Sequence, residues 1–218
     1  MLTVEHITAG YGKKQILTGV SFSVDKGDAV LLSGGNGSGK STVLKTIYGL
    51  LKPWQSEPQG KITFEAKNIT ASPVSTMIRQ GIVYMPQKKN VFEDFTAEEN
   101  LLTSAGIYPK AEAKEWVDKV FEILPKLKEM RKRTPFKMSG GERQLLAFGN
   151  VLVHSPKLVL LDEPFAGVDA GNSEVLRSCI VDLRERGVTF LVVEHKRQLL
   201  DGVVSREIEL ELGTIKNK

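Results

Sequence analysis

The 218-residue chain predicts an α/β fold with an inserted helical stretch, and three observations carry that reading. First, the apolar run DAVLL (28–32) leads into SGGNGSGKST (33–42), and apolar residues then recur at helical spacing over 43–48. Second, two later apolar runs, LVLLDE (158–163) and TFLVVE (189–194), have the length and composition of buried strands and end in carboxylates. Third, between the glycine-rich stretch and these later runs the pattern over 96–133 becomes helical, with Trp116, Val117, Val120, Phe121 and Leu124 at helical spacing.

In chain order, 2–8 and 19–24 read as strands, because Val20, Phe22 and Val24 alternate with small or polar residues. Residues 52–59 (KPWQSEPQ) form a proline-bearing loop, 60–64 a strand, 73–80 a short helix opening on Pro73, and 81–85 another strand. Thr96 ahead of Glu98 and Glu99 marks a helix start, and Ser139 is placed to cap a helix over 144–153. Residues 164–169 (PFAGVD) form a turn, 173–186 a helix, and 207–212 (EIELEL) alternate in the manner of an edge strand. The basic run KLKEMRKR (126–133) reads as a solvated helix face.

Hydrophobic content of 41% and charged content of 26% suit a globular chain with one domain and a substantial core. No apolar run approaches a membrane span, and MLTVEHITAG lacks the regions of a signal peptide, so a soluble protein inside the cell is expected. A lone cysteine, Cys179, excludes an internal disulfide framework and reads as a small packing residue. The net charge of +4 is too mild to select nucleic acid, nucleotide or membrane as partner.

The chemistry concentrates in a few places. Gly34, Gly39, Lys40 and Ser41 match the phosphate-loop pattern GxxxxGK[ST], in which glycine amides converge on phosphate oxygens, the lysine reaches the β- and γ-phosphates and the hydroxyl meets Mg²⁺. Ser139, with Gly140 and Gly141, exposes the amides of a second helix start that attracts anions. A strand ending at 162 delivers Asp162, a Mg²⁺ partner beside Ser41, and Glu163, a base or orienter for an attacking water. His195 reaches the same sheet edge and can donate to the γ-phosphate. Gln87, after its strand, can contact a metal or water or serve as a surface residue. Tyr11, between glycines, can stack on a flat ring or be an ordinary turn tyrosine.

Together these motifs resemble the ATP-binding subunits of ABC transporters over essentially the whole chain. The resemblance implies a P-loop NTPase (RecA-like) core with an N-terminal antiparallel β subdomain and an inserted α-helical subdomain. The single ATPase domain would divide into a core and β subdomain at about 1–90 and 155–218 and a helical subdomain at about 91–154. It implies Tyr11 as the adenine-stacking residue and Gly34, Asn36, Gly37, Ser38, Gly39, Lys40, Ser41 and Thr42 as the Walker A loop. Gln87 becomes the Q-loop residue, touching metal or catalytic water, and Ser139, Gly140 and Gly141 the family signature. Asp162 becomes the Walker B metal ligand, Glu163 the catalytic glutamate, Asp169 the D-loop aspartate and His195 the switch histidine.

ATP and Mg²⁺ are the implied ligands. Membrane permease subunits and a second ATP-binding subunit, a copy or a relative, are the implied partners, with no nucleic acid, at the inner face of the cell membrane. A soluble ABC ATPase acting on DNA or the ribosome is the rival class, but this chain has neither a long coiled-coil insertion nor a tandem second domain. Gly35 stands where the family often has proline, and Met138 where the signature usually begins with leucine. The FAGVD turn resembles the branch containing branched-chain amino-acid importers and the lipopolysaccharide-export ATPase, while the region after Gln87 looks closer to the importers.

Overall fold

The computed structural model describes residues 1–88, 90–195 and 197–216. From the N-terminus come strands β1 (Leu2–Tyr11), β2 (Lys14–Val24) and β3 (Ala29–Ser33), helix α1 (Lys40–Ile47), and strands β4 (Lys61–Phe64) and β5 (Lys67–Asn68). Helix α2 (Val74–Gln80) and strand β6 (Ile82–Met85) precede four helices: α3 (Ala97–Ser104), α4 (Lys110–Ile123), α5 (Pro125–Glu129) and α6 (Gly140–Leu152). The chain continues through β7 (Leu158–Asp162), α7 (Ala170–Glu185), β8 (Thr189–Val193), β9 (Arg206–Glu211) and β10 (Thr214–Ile215).

The strands form two sheets, one four-stranded in the order β2-β1-β4-β5 and one six-stranded in the order β10-β9-β3-β8-β7-β6. Pairing in the first is antiparallel throughout. In the second, β9, β3, β8, β7 and β6 run parallel, and only β10 is antiparallel. Every parallel strand therefore delivers its C-terminal residue to one edge, where ligands of open α/β sheets bind. That edge collects Ser33, Met85, Asp162 and Val193 with the segments that follow them.

The pleat of β7 divides the core. Leu158 and Leu160 face the antiparallel sheet and α1, packing with Leu2, Phe64 and Leu44, whereas Val159 and Leu161 face the helices. On that second face Leu101, Val120, Phe121 and Phe148 join Phe190 and Leu176 in one continuous cluster. The helices inserted between β6 and β7 thus share the apolar core of the parallel sheet, and burial on both faces explains why β7 and β8 read as unbroken apolar runs.

Three expectations change. The 207–212 segment is no edge strand: β9 lies between β3 and β10, and its alternation reflects one buried face, carrying Ile208 and Leu210, rather than an open edge. Helices α1, α6 and α7 begin three or four residues earlier than apolar spacing indicates, because their first turns are polar or glycine-rich. Tyr11 is the last residue of β1, paired with Lys14 across a tight hairpin, rather than part of a loop. A methyl group at Gly10 would sit 2.0 Å from the Lys14 carbonyl oxygen, so the hairpin closes only with glycine there.

The basic run is a solvated surface as read, with Lys128, Glu129, Lys132 and Arg133 exposed, and some of its charges are paired. Arg131 pairs with Glu98 at 2.5 Å, Arg133 lies 3.8 Å from Glu142, and Lys126 donates to Asn172 Oδ1 at 2.7 Å. No helix among the described residues is long and apolar enough to cross a membrane. Cys179 is buried, and burial pushes its thiol up to about 12, in keeping with a packing role.

Candidate active site

The loop after β3 takes a shape that its glycines permit. Gly34, Gly37 and Gly39 have φ of 144°, 76° and 107°. A methyl group at Gly34 would meet the Leu210 carbonyl oxygen at 2.1 Å, so conformation and space both demand glycine there. The helix start of α1 at Lys40 has no side-chain cap, which leaves its amides to a ligand. Ser38 Oγ is buried without a hydrogen-bond partner beneath this loop.

Lys40 is buried, and its ammonium donates to the carbonyls of Gly34 at 2.8 Å and Gly35 at 2.9 Å. Burial lowers its pKa, opposed by the nearby charges of Glu163 and Asp162. One concave surface brings together Asn36, Gly37, Gly39, Lys40, Ser41, Thr42, Glu163 and His195, with Ile16 at its margin. Two sheet-edge segments and the loop therefore converge as the sequence reading expects.

Asp162 is buried at the end of β7 and has both oxygens engaged. Ser41 Oγ donates to Oδ1 at 2.9 Å, and the Tyr84 hydroxyl donates to Oδ2 at 3.0 Å. Burial, reinforced by the Asp162 charge, raises the Tyr84 pKa and keeps its proton available for that bond. Glu163 follows at φ 52°, off the strand path, in a left-handed conformation that is uncommon and strained outside glycine. This turn, rather than strand alternation, separates the two carboxylates. Gln87 donates to Glu163 Oε2 at 2.5 Å and His195 Nε2 lies 3.1 Å from Oε1. Glu194, buried behind them, accepts the amides of His195 and Phe165 at 2.8 and 3.3 Å.

The donor set accords with the groups expected to bind. A buried orphan hydroxyl at Ser38, loose amides at α1 and an ammonium on loop carbonyls are what a polyphosphate would satisfy. The Ser41 hydroxyl and Asp162 carboxylate form the sparse hard-oxygen pair that Mg²⁺ uses when phosphates and water supply its other ligands.

Other expected residues lie elsewhere in this chain. Tyr11 is exposed at the end of β1, with the Lys45 ammonium 6.0 Å from its ring centre. Ser139 caps α6 in a reciprocal box: it accepts the Glu142 amide at 3.2 Å, and Glu142 accepts the Ser139 amide at 2.8 Å. Gly140 and Gly141 serve close approach, and Gly141 is buried. A methyl group at Gly140 would sit 2.7 Å from the Gly167 carbonyl oxygen, and one at Gly141 2.6 Å from Asp169 Oδ2. Asp169 caps α7, and hydrogen bonds from Asn172 hold its carboxyl below the usual range. None of Tyr11, Ser139, Gly140, Gly141 or Asp169 lines the concave surface over the phosphate loop.

Sequence reasoning missed Tyr84, Asn172 and Glu194. Tyr84 is one residue of an apolar strand, and only the pairing of Tyr84 with Leu160 in the register of β6 on β7 shows that it reaches Asp162.

This geometry defines a phosphate-loop nucleotide hydrolase with its carboxylates at the C-terminal edge of a parallel sheet. A family model described as ABC transporter matches residues 17–166. The high-affinity branched-chain amino acid transport ATP-binding protein BraG of Pseudomonas aeruginosa is 38% identical, covering 99% of this chain and 91% of its own length. The lipopolysaccharide export system ATP-binding protein LptB of Haemophilus influenzae is 32% identical over 92% of this chain and 83% of its own. Among solved structures, the ADP conformation of the cassette MJ1267 superposes with a TM-score of 0.87 at 31% identity, covering 99% of this chain and 89% of that one. A dimeric post-hydrolysis state of the cassette MJ0796 with ADP and Pi gives 0.83 at 25% identity, covering 100% and 97%. The chain belongs to the ABC transporter family. It is an ATP-binding, ATP-hydrolysing subunit that powers an ABC transporter.

Proposed function

We propose that two such subunits, copies or relatives, close on two ATP molecules, each subunit completing the other's site, and that hydrolysis reopens them. The observation that carries this reading is the division of the motifs. Lys40, Ser41, Asp162, Glu163 and His195 gather around one loop, while Ser139, Gly140 and Gly141 present a second anion-attracting helix start outside that surface. A γ-phosphate held by the first set keeps an open side, and a two-fold axis brings the partner's second set to it. The relative MJ0796 forms a dimer in a post-hydrolysis state with ADP and Pi.

In the reaction, Lys40 leaves the Gly34 and Gly35 carbonyls for the β- and γ-phosphates, and the loop amides take the charge that develops on the transferring phosphoryl group. Glu163, oriented by His195 and Gln87, takes a proton from water as its oxygen attacks the γ-phosphorus. The bond to the β,γ-bridging oxygen breaks, and that oxygen leaves with ADP. Ser41 and Asp162 would hold Mg²⁺, with Gln87 a further candidate to contact the metal or the water, and the ion when bound would supply positive charge to the phosphate oxygens. Tyr11 at the β1 end offers its ring to the adenine, where stacking contributes about 1 to 3 kcal/mol. Asp169, at the turn beside the signature glycines, lies at the seam between subunits.

The partner in the membrane is a permease, which would place the chain at the cytoplasmic face. A groove lined by Tyr84, Pro86, Val91, Phe92, Ala147 and Asn150 lies between the parallel sheet and the inserted helices, beside the half-exposed Phe92 and Phe95. Because Gln87 starts the segment that borders this groove, closure at the nucleotide is passed to whatever docks there.

Replacing Glu163 with Gln tests this reading. The variant should lose turnover, by about 10²- to 10⁴-fold for a lost general base, and accumulate as an ATP-bound dimer in size exclusion with light scattering. Normal phosphate release would remove Glu163 as the base. Absence of any ATP-dependent dimer would remove the shared site.

A further inference from the structure

Away from the nucleotide loop, one polar chain ties the inserted helices to the segment after β7. Lys126 on α5 donates to Asn172 Oδ1 at 2.7 Å. The Asn172 amide group donates to Asp169 Oδ2 at 2.5 Å, and its backbone N–H donates to Asp169 Oδ1 at 3.0 Å. A lysine needs an acceptor and a carboxylate needs a donor, so these two neighbours fix the orientation of the Asn172 side chain. Asn172 is 3% exposed, so it is a buried link rather than a surface contact.

The link ends against the signature. A methyl group at Gly141 would lie 2.6 Å from Asn172 Nδ2 and 2.6 Å from Asp169 Oδ2, so the backbone at the start of α6 rests on this pair. A methyl group at Gly140 would lie 2.7 Å from the Gly167 carbonyl oxygen. The start of α6 is thus seated on residues 167–172, and those residues are held in turn from α5.

We propose that Lys126 and Asn172 are positioning residues that hold Asp169 and the Ser139–Gly141 helix start as one rigid unit, set to meet the nucleotide of the partner subunit. The proposal rests on the shared-site reading. Lys126 and Asn172 do not line the concave surface over the phosphate loop. They act through Asp169 and Gly141, and their loss would leave the chain's own phosphate loop intact while loosening the face it offers to the other copy.

The two ideas separate in a Glu163→Gln background. If that variant alone fails to dimerise with ATP, the shared site is wrong. If it dimerises, adding Asn172→Ala or Lys126→Met should raise the ATP concentration at half-maximal dimerisation by about tenfold, the loss of a charge-assisted hydrogen bond. ATP affinity of the monomer, read with a fluorescent nucleotide at low protein concentration, should stay within about twofold on the same grounds. In the otherwise native chain both variants should lower kcat more than they raise KM, and Lys126→Arg, which keeps a donor, should restore it. Lys126→Met removes only a half-buried side-chain end and keeps the test readable if Asn172→Ala proves unstable. Unchanged dimerisation in both variants overturns the proposal, as does an equal loss of monomer ATP affinity.

Discussion

Gln87 donates its side-chain amide to Glu163 Oε2 across 2.5 Å, joining the segment after β6 to the residue after β7. On its other oxygen Glu163 meets His195 at 3.1 Å, so the carboxylate is gripped from two directions. Glu163 is also the residue that leaves the strand path at φ 52°. A carboxylate aimed by a strained backbone and two side chains is preorganised for one direction.

The first prediction follows from that grip. In Gln87→Glu two carboxylates would share the 2.5 Å contact, and like charges at that distance favour one bound proton. The acidic limb of the kcat profile should move to higher pH by about one unit or more. Gln87→Ala, which adds no charge, should lower kcat without moving that limb. An unmoved limb in Gln87→Glu would show that the contact is not part of the working site.

In the proposed mechanism Lys40 would serve both the nucleotide and, through it, the dimer. Lys40→Ala should weaken ATP binding by about tenfold or more, since hydrogen bonds to charged groups contribute about 1.5 to 3 kcal/mol. ATP-driven association should fall with it. Isothermal titration and light scattering on one preparation would check both, and association surviving unchanged would refute the coupling.

Tyr84 predicts a metal effect. Tyr84→Phe removes the donor to Asp162 Oδ2 but keeps the ring that packs 5.5 Å from Tyr48. Residues that orient a metal ligand typically matter by about 10- to 100-fold in metal affinity. The Mg²⁺ concentration for half-maximal turnover should therefore rise by that order, while nucleotide affinity measured in EDTA should not change.

Gly34→Ala should damage stability as well as binding. Its φ of 144° is strained for alanine, and the new methyl would meet the Leu210 carbonyl oxygen at 2.1 Å. A backbone conflict of about 1 to 3 kcal/mol should lower the melting temperature by roughly 2 to 12 °C. Differential scanning calorimetry reads this directly.

His154 predicts a pH dependence of stability. Burial lowers its pKa from 6.5 to about 4, and its Nδ1 has no partner. The unfolded chain therefore binds a proton near pH 6.5 that the folded chain refuses until about pH 4. Stability is fully present above 6.5, falls as pH drops through that window, and the contribution is gone below about 4; its size is on the order of 3 kcal/mol. Urea unfolding at pH 5 and 7 should show a smaller difference in His154→Gln than in the native chain.

The sequence by itself determined what local chemistry dictates. A glycine loop between an apolar run and a helix marks a phosphate site, because positive φ and open amides are properties of a few adjacent residues. Thr96 with Glu99 and Ser139 with Glu142 form capping boxes within four residues, so those helix starts are written locally. Apolar runs ending in Asp162 and Glu194 announce buried parallel strands and the edge that carries the chemistry. Tertiary structure alone decided which distant groups meet. Ser41 reaches Asp162, Gln87 reaches Glu163 and Lys126 reaches Asn172 only once the strand order β3-β8-β7-β6 and the packing of α5 near α7 are set. The same holds for the seating of Gly141 on Asp169 and for the place of Tyr84 against Asp162. Such contacts depend on register and layer packing, summed over many apolar side chains, and no short stretch of sequence encodes them.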